Sequence, residues 1–176
     1  MPTLAGIFIL GELSGPVAEE IHTITRRYDP KLARVRRPHV TLAGSSGVGP
    51  IPVDTPVAEL RERLTPVAAA MPPIELTLQP AHRFTQTDII VLPIDPYGPI
   101  RVLHDRISTS GLRFGPARFT FSPHVTLNLY KSLTRETLRE LLQVRVPGSV
   151  MLDTLHVYYT SEPRPAKLIL DLPLTG

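Results

Sequence analysis

The chain of 176 residues contains no cysteine. Disulfide bonds, thiolate catalysis and cysteine-based zinc sites are therefore excluded. No run of about 18 or more apolar residues occurs, so the sequence predicts no membrane-spanning helix. Residues 1–10 are apolar, but they lack the basic region and the cleavage site of a signal peptide. We therefore expect a cytoplasmic protein that makes no contact with a membrane.

The short motifs of several enzyme classes are also missing. Neither G-x-G-x-x-G nor a Walker sequence is present, which argues against a glycine-rich nucleotide-binding loop. Because no H-x-H or H-E-x-x-H spacing occurs, we predict no metal site and no other cofactor. The absence of G-x-S-x-G argues against a serine hydrolase. The length and a hydrophobic content of 42% fit one domain, residues 1–176, with monomer as the default state.

The most informative feature that is present is a repeated pentapeptide. The sequence Pro-His-Val-Thr-Leu occupies residues 38–42 and again residues 123–127. Each copy is a short β-branched run entered through a proline, which predicts a strand. Alternate residues of a strand share a face, so His39 lies beside Thr41 and His124 lies beside Thr126. The intervening valines and leucines are predicted to face a core.

This pair of motifs suits acid–base chemistry on a phosphate. An unperturbed imidazole has a pKa of roughly 6.5, so one histidine can act as general base and the other as general acid. The threonine hydroxyls can donate hydrogen bonds to oxygens that gain charge. A single copy would most often be an ordinary strand with a half-exposed histidine. Two identical copies in matching contexts favour a shared site that needs no metal.

The surroundings of the two copies match. A strand (4–10 or 89–95) and an amphipathic helix precede each copy, and Ser14 is a candidate cap for the first helix. A second helix, from about Pro56 or about Thr134, follows each copy. Strands at 74–79 and 150–159 come next, and a strand at 168–172 ends the series. The pattern predicts tandem units at about 3–82 and 88–160. The segment 44–56 is predicted to be a loop that could overhang the site.

The two motifs, in this order and spacing, resemble those of the two-histidine phosphoesterases. The resemblance is strongest to the bacterial branch of RNA 2′,5′-ligases and 2′,3′-cyclic phosphodiesterases. The strand beginning at Thr3 and the segment 155–161 are similar more weakly. The resemblance implies an α+β fold of two lobes with an internal pseudo-twofold repeat. Antiparallel-rich sheets flanked by helices would surround a central cleft.

The resemblance also implies an activity. Members open cyclic phosphates without metal, so RNA ends or cyclic-phosphate nucleotides are the expected substrates. By similarity His124 would be the base and His39 the acid. Thr41 and Thr126 would bind the non-bridging phosphate oxygens. The residues themselves leave open which histidine is the base and which is the acid. RNA end joining by a 2′,5′-ligase would use the same groups. A non-catalytic RNA- or nucleotide-binding module is a third reading.

Other substrate contacts are predicted from charge and position. Some relatives carry an arginine soon after the second motif, where this chain has Asn-Leu-Tyr-Lys at 128–131. A basic run at 26–37 leads into the first motif, and a polyanion would be attracted to it. His156 and Tyr158 are alternate residues of the strand predicted at 150–159, so they share a face of it. The candidates for substrate binding are therefore Arg36, Arg37, Tyr130, Lys131, His156 and Tyr158. Structural or surface roles are predicted for His22, His82 and His104.

Overall fold

The structure, a computed structural model, describes residues 4–176. Within this range there are nine strands and five helices. In chain order they are β1 (Ala5–Ser14), α1 (Pro16–Tyr28), α2 (Pro30–Val35), β2 (His39–Ala43), α3 (Val57–Ala69), β3 (Ile74–Thr77), β4 (His82–Arg83), β5 (Ile90–Pro93), α4 (Pro99–Ser108), β6 (His124–Asn128), α5 (Arg135–Leu142), β7 (Ser149–Leu152), β8 (Thr154–Ser161) and β9 (Lys167–Pro173).

The strands form two antiparallel sheets. The larger sheet has the order β3-β7-β1-β8-β9, with β2 also paired to β1. The smaller sheet has the order β4-β5-β6. The two motif strands, β2 and β6, therefore belong to different sheets, and they lie against each other. This arrangement of antiparallel sheets and helices confirms the α+β class.

The buried face of each motif strand is the predicted one. Val40, Leu42, Val125 and Leu127 are completely buried in the apolar core. Each fully buried side chain of this size stabilises the fold by roughly 1.5–3 kcal/mol. The core thus fixes which face of β2 and β6 turns away from it, and that face carries the histidines and threonines.

The start of α1 differs from the prediction. Ser14 does not cap this helix, because β1 continues through Ser14 to pair with β7. Gly15 is the N-cap residue instead, with a φ of 100° and no side-chain hydrogen bond. A φ in this left-handed region suits glycine, which lets the chain turn sharply from strand to helix. Pro16 occupies the first turn of α1, as predicted.

Three further elements depart from the sequence-based prediction. The strand predicted at 150–159 is two strands, β7 and β8, separated at Asp153. The helix α2 and the two-residue strand β4 were not predicted. α2 has only six residues and lies inside the basic run, where charge hides its short apolar pattern. It begins with Asp29 as N-cap and Pro30 in the first turn.

Candidate active site

The same backbone hydrogen bonds attach both motif strands to their neighbours. Leu13 N donates to Pro38 O at 2.9 Å, and Ile94 N donates to Pro123 O at 2.9 Å. In each pairing the register then skips one residue, which is the leucine of the motif. Such a bulge bends a strand and redirects its side chains. The two motifs therefore have matching local geometry in two separate sheets.

Both motif histidines are oriented by the backbone two residues earlier. His39 Nδ1 lies 2.8 Å from Arg37 O, and His124 Nδ1 lies 2.8 Å from Ser122 O. A carbonyl oxygen only accepts, so Nδ1 carries the hydrogen and donates it. The tautomer is thereby fixed, and Nε2 of each ring is left as the atom that can take or give a proton.

The surroundings lower the pKa of both histidines. Burial, together with the charges of Arg36 and His124, lowers the pKa of His39 to about 4. The hydrogen bond to Arg37 O and the charge of Glu12 act in the opposite direction. Burial also lowers the pKa of His124, against its hydrogen bond to Ser122 O. The charge of one histidine thus acts on the other, and the two rings extend from strands, β2 and β6, that contact each other.

The strand neighbours of the two histidines differ in charge. Glu12 of β1 stands opposite His39, whereas Pro93 of β5 stands opposite His124. The ring of Phe84 also meets the ring of His124 edge to face, with centroids 5.2 Å apart. One histidine thus faces a carboxylate and the other an apolar wall. A carboxylate stabilises the imidazolium form, and an apolar wall stabilises the neutral form.

One face of the larger sheet collects several predicted residues. Across β2 and β1, Thr41 pairs with Leu10 and His39 with Glu12. Across β1 and β8, Leu10 pairs with His156. Directly paired residues point to the same side of a sheet, and so do alternate residues of one strand. The candidates of β8, His156 and Tyr158, therefore share a face with the first motif.

Glu12 connects the candidates on this face. Tyr158 Oη donates to Glu12 Oε1 at 2.6 Å, and the backbone N–H of Glu12 donates to His156 Nδ1 at 3.3 Å. The Arg36 guanidinium lies over the Tyr158 ring, 4.4 Å from its centroid. Burial and the Glu12 carboxylate raise the pKa of Tyr158 to about 12, against the charge of Arg36. Glu12 was not identified from the sequence, although it continues the alternation of Phe8 and Leu10.

The turn after β6 places Tyr130 beside α2. Asp29 Oδ2 accepts hydrogen bonds from the backbone N–H groups of Leu129 and Tyr130, both at 2.8 Å. Asp29 Oδ1 accepts from Leu32 N at 3.0 Å and so caps α2. The Lys31 ammonium lies 4.4 Å from the centroid of the Tyr130 ring. Asp29, which is buried, therefore holds the second motif's turn against the basic run.

Two of the candidates have side chains with other surroundings. The side chain of Arg37 forms an ion pair with Glu19 of α1. Lys131 is exposed, and its backbone oxygen joins the turn by accepting from Asn128 Nδ2 at 2.8 Å. Burial and the charge of Glu162 raise the pKa of Tyr130, while the charge of Arg36 opposes them. Tyr130 and Arg36 are thus near neighbours, whereas Lys131 points to solvent.

The segment 44–56 packs against the chain that leads into the second motif. Ser122 N donates to Ser46 Oγ at 3.0 Å, and Gly47 N donates to Phe119 O at 2.9 Å. Ser46 is buried. The loop predicted to overhang the site therefore supports the backbone from which His124 extends.

The remaining histidines have distinct surroundings. His104 is buried, with Nδ1 2.9 Å from Leu42 O and its ring stacked on Phe121 at 3.9 Å. This contact ties α4 to the first motif strand, which confirms the predicted structural role. His82 is exposed in β4. His22 lies on α1, where its Nδ1 is buried without a hydrogen-bond partner among residues 4–176.

Neither a metal-binding cluster nor a membrane span is found in the part of the chain that the structure describes. From residue 4 to residue 176, no three His, Cys, Asp or Glu side chains are grouped so that they could hold a metal ion. Over the same residues, no helix combines the length and the apolar character needed to cross a bilayer.

Comparison with known proteins identifies relatives of the whole fold. A protein of Geobacillus kaustophilus (strain HTA426) with a provisional phosphoesterase name is 32% identical over 104 residues. These residues are 58% of this chain and 56% of that protein, so the chain matches about half the length of this curated relative. Two structures of Escherichia coli LigT match over nearly their full length. The apo form has a TM-score of 0.59 and 21% identity, with 98% of both chains covered.

The second LigT structure, a complex with 3′-AMP, has a TM-score of 0.60 and 18% identity and covers 100% of both chains. Similarity at this level of identity establishes a common fold. The sequence profile of the 2'-5' RNA ligase superfamily adds a direct match to residues 13–164. Since this match spans most of the sequence, the resemblance to the two-histidine phosphoesterases is confirmed, and the chain belongs to the 2'-5' RNA ligase superfamily.

Proposed function

We propose that the protein is a metal-independent phosphoesterase that hydrolyses 2′,3′-cyclic phosphates, or 2′,5′-linked phosphodiesters, at nucleotides or RNA ends. The observation that carries this proposal is the matched orientation of His39 and His124. In each ring Nδ1 is held by a backbone carbonyl, and Nε2 is left for proton transfer. Two such groups meet the need of phosphodiester hydrolysis for one base and one acid. The 3′-AMP bound to E. coli LigT supports a nucleotide as the substrate class.

In the proposed reaction, neutral His124 takes a proton from water through Nε2 while the water oxygen attacks phosphorus. The bond from phosphorus to one ribose oxygen breaks, and that oxygen receives a proton from Nε2 of cationic His39. Thr41 and Thr126 donate hydrogen bonds to the two non-bridging oxygens, whose charge grows in the transition state. Water is consumed, and proton exchange with solvent returns both histidines to their starting forms.

The choice of His39 as acid is supported by its neighbours. Glu12 opposite His39 favours the imidazolium form that an acid requires, although burial and the charges of Arg36 and His124 outweigh it in the empty site and lower the pKa of His39 to about 4. Pro93 and Phe84 beside His124 favour the neutral form that a base requires. Burial lowers the pKa of both rings when the site is empty, and the negative charge of a bound phosphodiester would raise both again.

The matched hydrogen bonds also support a repeated architecture. Because both motif strands share the same register skip and the same histidine contact, we propose that units 3–82 and 88–160 are pseudo-twofold repeats. The two units would form lobes on either side of a central cleft within one domain. His39 and Thr41 would then face His124 and Thr126 across the cleft.

The test is turnover of a nucleoside 2′,3′-cyclic phosphate in excess chelator, followed by phosphorus NMR. We expect the wild-type protein to convert it, and the His39→Ala and His124→Ala variants each to lose about 10²–10⁴-fold in kcat, as expected for removal of an acid or base. His82→Ala is the matched control, since this exposed histidine lies in β4. Circular dichroism checks that each variant folds. Full activity in either motif variant would overturn the proposal.

RNA end joining is the second candidate, and the superfamily match to 2'-5' RNA ligases is the observation that favours it. A ribose hydroxyl would replace water as the nucleophile, with the same base and acid. An RNA carrying a 2′,3′-cyclic phosphate, mixed with an RNA bearing a 5′-hydroxyl, would then give a longer product on a denaturing gel. Salt-sensitive RNA binding without any turnover would instead identify a binding module.

A further inference from the structure

A basic cavity lies next to the candidate active site. Its volume is about 350 Å³, and it opens between α1, α2 and the face formed by β1 and β8. Its polar lining consists of Glu12, His22, Arg34, Arg36, Arg37 and Tyr158. The volume is within the range of about 300–1,000 Å³ that is typical of ligand sites.

The lining carries an excess of positive charge. Three guanidinium groups line the cavity against the single carboxylate of Glu12. That carboxylate already accepts the hydrogen bond of Tyr158, and Arg37 pairs with Glu19, which lies outside the lining. Arg34 is exposed, and Arg36 lies over the Tyr158 ring and forms no ion pair with residues 4–176, so both guanidinium groups can bind an anion. The cavity therefore favours a ligand with negative charge.

His22 adds an imidazole ring to the lining of the cavity, beside the arginines. Burial and the charges of Arg26 and Arg37 lower the pKa of His22. A bound anion would offset the repulsion between this imidazole and the arginines.

The cavity shares a wall with the site of the first motif. Glu12, which lines the cavity, is the cross-strand neighbour of His39, and such neighbours lie about 5 Å apart at Cα. Arg36 also lines the cavity, and its charge lowers the pKa of His39. The cavity is therefore adjacent to the site at His39, so a strand with one phosphate at His39 can direct its neighbouring phosphate toward the cavity.

From these observations we infer that the basic cavity binds a second phosphate, one nucleotide away from the phosphate at the two histidines. The preferred substrate is then the end of an RNA strand rather than a single nucleotide. Arg34 and Arg36 contact the phosphate oxygens, and His22 lies in the lining beside them. This inference rests on the proposed function, since it assigns the reacting phosphate to His39 and His124.

The test compares two substrates that end in the same 2′,3′-cyclic phosphate, a mononucleotide and a trinucleotide. We expect the wild-type protein to have the higher kcat/KM for the trinucleotide. In Arg34→Ala the ratio of the two values should fall about tenfold, the loss of one charge-assisted contact. The salt dependence for the trinucleotide should also weaken, by about 0.7 in the logarithmic slope. Arg34→Lys should restore part of the preference.

Arg61→Ala is the matched control, because it removes the same charge from an exposed position on α3. The ratio should stay at the wild-type value in this variant. A wild-type ratio near one would overturn the inference. So would a ratio that is the same in Arg34→Ala as in the wild-type protein.

A binding assay separates this inference from the proposed function. In the His39→Ala/His124→Ala variant, fluorescence anisotropy measures the affinity for a trinucleotide with a 3′-phosphate and for a mononucleotide 3′-phosphate. If no substrate is turned over but Arg34→Ala still removes the binding preference, the proposed function fails and the cavity assignment stands. If turnover is observed and Arg34→Ala changes neither ratio, the cavity assignment fails alone.

Discussion

Replacing Asp29 by asparagine should loosen the junction between the basic run and the turn after the second motif. The buried carboxylate accepts three backbone hydrogen bonds: one from Leu32 N at 3.0 Å, and one each from Leu129 N and Tyr130 N at 2.8 Å. Asparagine is also a good N-cap, but its amide has one oxygen and a donating NH₂ group. It can therefore satisfy Leu32 or the other two donors, and not both groups.

The expected loss follows from the number of donors left without a partner. Each N–H that loses its acceptor costs about 1–3 kcal/mol, and hydrogen bonds to a charged group lie at the upper end. The amide will keep its better partners, so one or two donors are lost. We expect the free energy of unfolding to fall by about 2–4 kcal/mol. For a chain of this size, that lowers Tm by about 5–15 °C.

Urea denaturation followed by far-ultraviolet circular dichroism is the suitable assay, since the chain has no tryptophan. Asp95→Asn is the matched control, because this exposed carboxylate accepts one backbone hydrogen bond, from Tyr97 N at 3.0 Å. It should change the free energy of unfolding by about 0.5 kcal/mol or less. If Asp29→Asn costs no more than this control, the three hydrogen bonds do not hold the junction.

The histidine environments and Glu12 lead to three further predictions. Because the acid His39 has a pKa of about 4 and the pKa of His124 also lies below 6.5, the protonated fraction of the acid already decreases with each pH unit above these values. We therefore expect kcat/KM to fall between about pH 6 and pH 8; a rise over this interval would contradict the lowered values. The unfolded chain binds protons at these histidines more readily than the folded protein, so the free energy of unfolding should fall as the pH drops from about 6.5 to about 4. Urea titrations at several pH values should show that His39→Asn weakens this dependence. Glu12→Gln should move the pH profile of kcat/KM to lower pH. It should also lower the pKa of Tyr158 from about 12, and absorbance at 295 nm follows this titration. An unshifted tyrosine titration would mean that burial alone raises the pKa of Tyr158.

Much of the fold could be predicted because periodic patterns determine it. Strand alternation placed Val40 and Val125 in the core, and the apolar stripe identified α1. The same alternation placed His156 and Tyr158 on one face of β8. The length of β1 could not be predicted from this pattern, because the strand reaches Ser14 only through its pairing with β7, which comes from the far end of the chain.

The supporting residues of the site were harder to predict. Asp29 lies between α1 and the short helix α2 in a basic run, and its link to Leu129 and Tyr130 exists only after folding. Glu12 is one of many carboxylates until β1 pairs with β2 and places it opposite His39. Such long-range hydrogen bonds and cross-strand neighbours have no local sequence signal, whereas a repeated pentapeptide has a strong one.

The strand order of the larger sheet has a consequence for how the chain can be divided. β7, from the second half of the chain, lies between β3 and β1 of the first half and pairs with both. A fragment that ends before β5 would leave a gap between two of its own strands, with backbone groups unpaired on both sides. Neither half is then an independent folding unit. Two separately expressed fragments, cut between β4 and β5, would regain their structure only by assembling with each other.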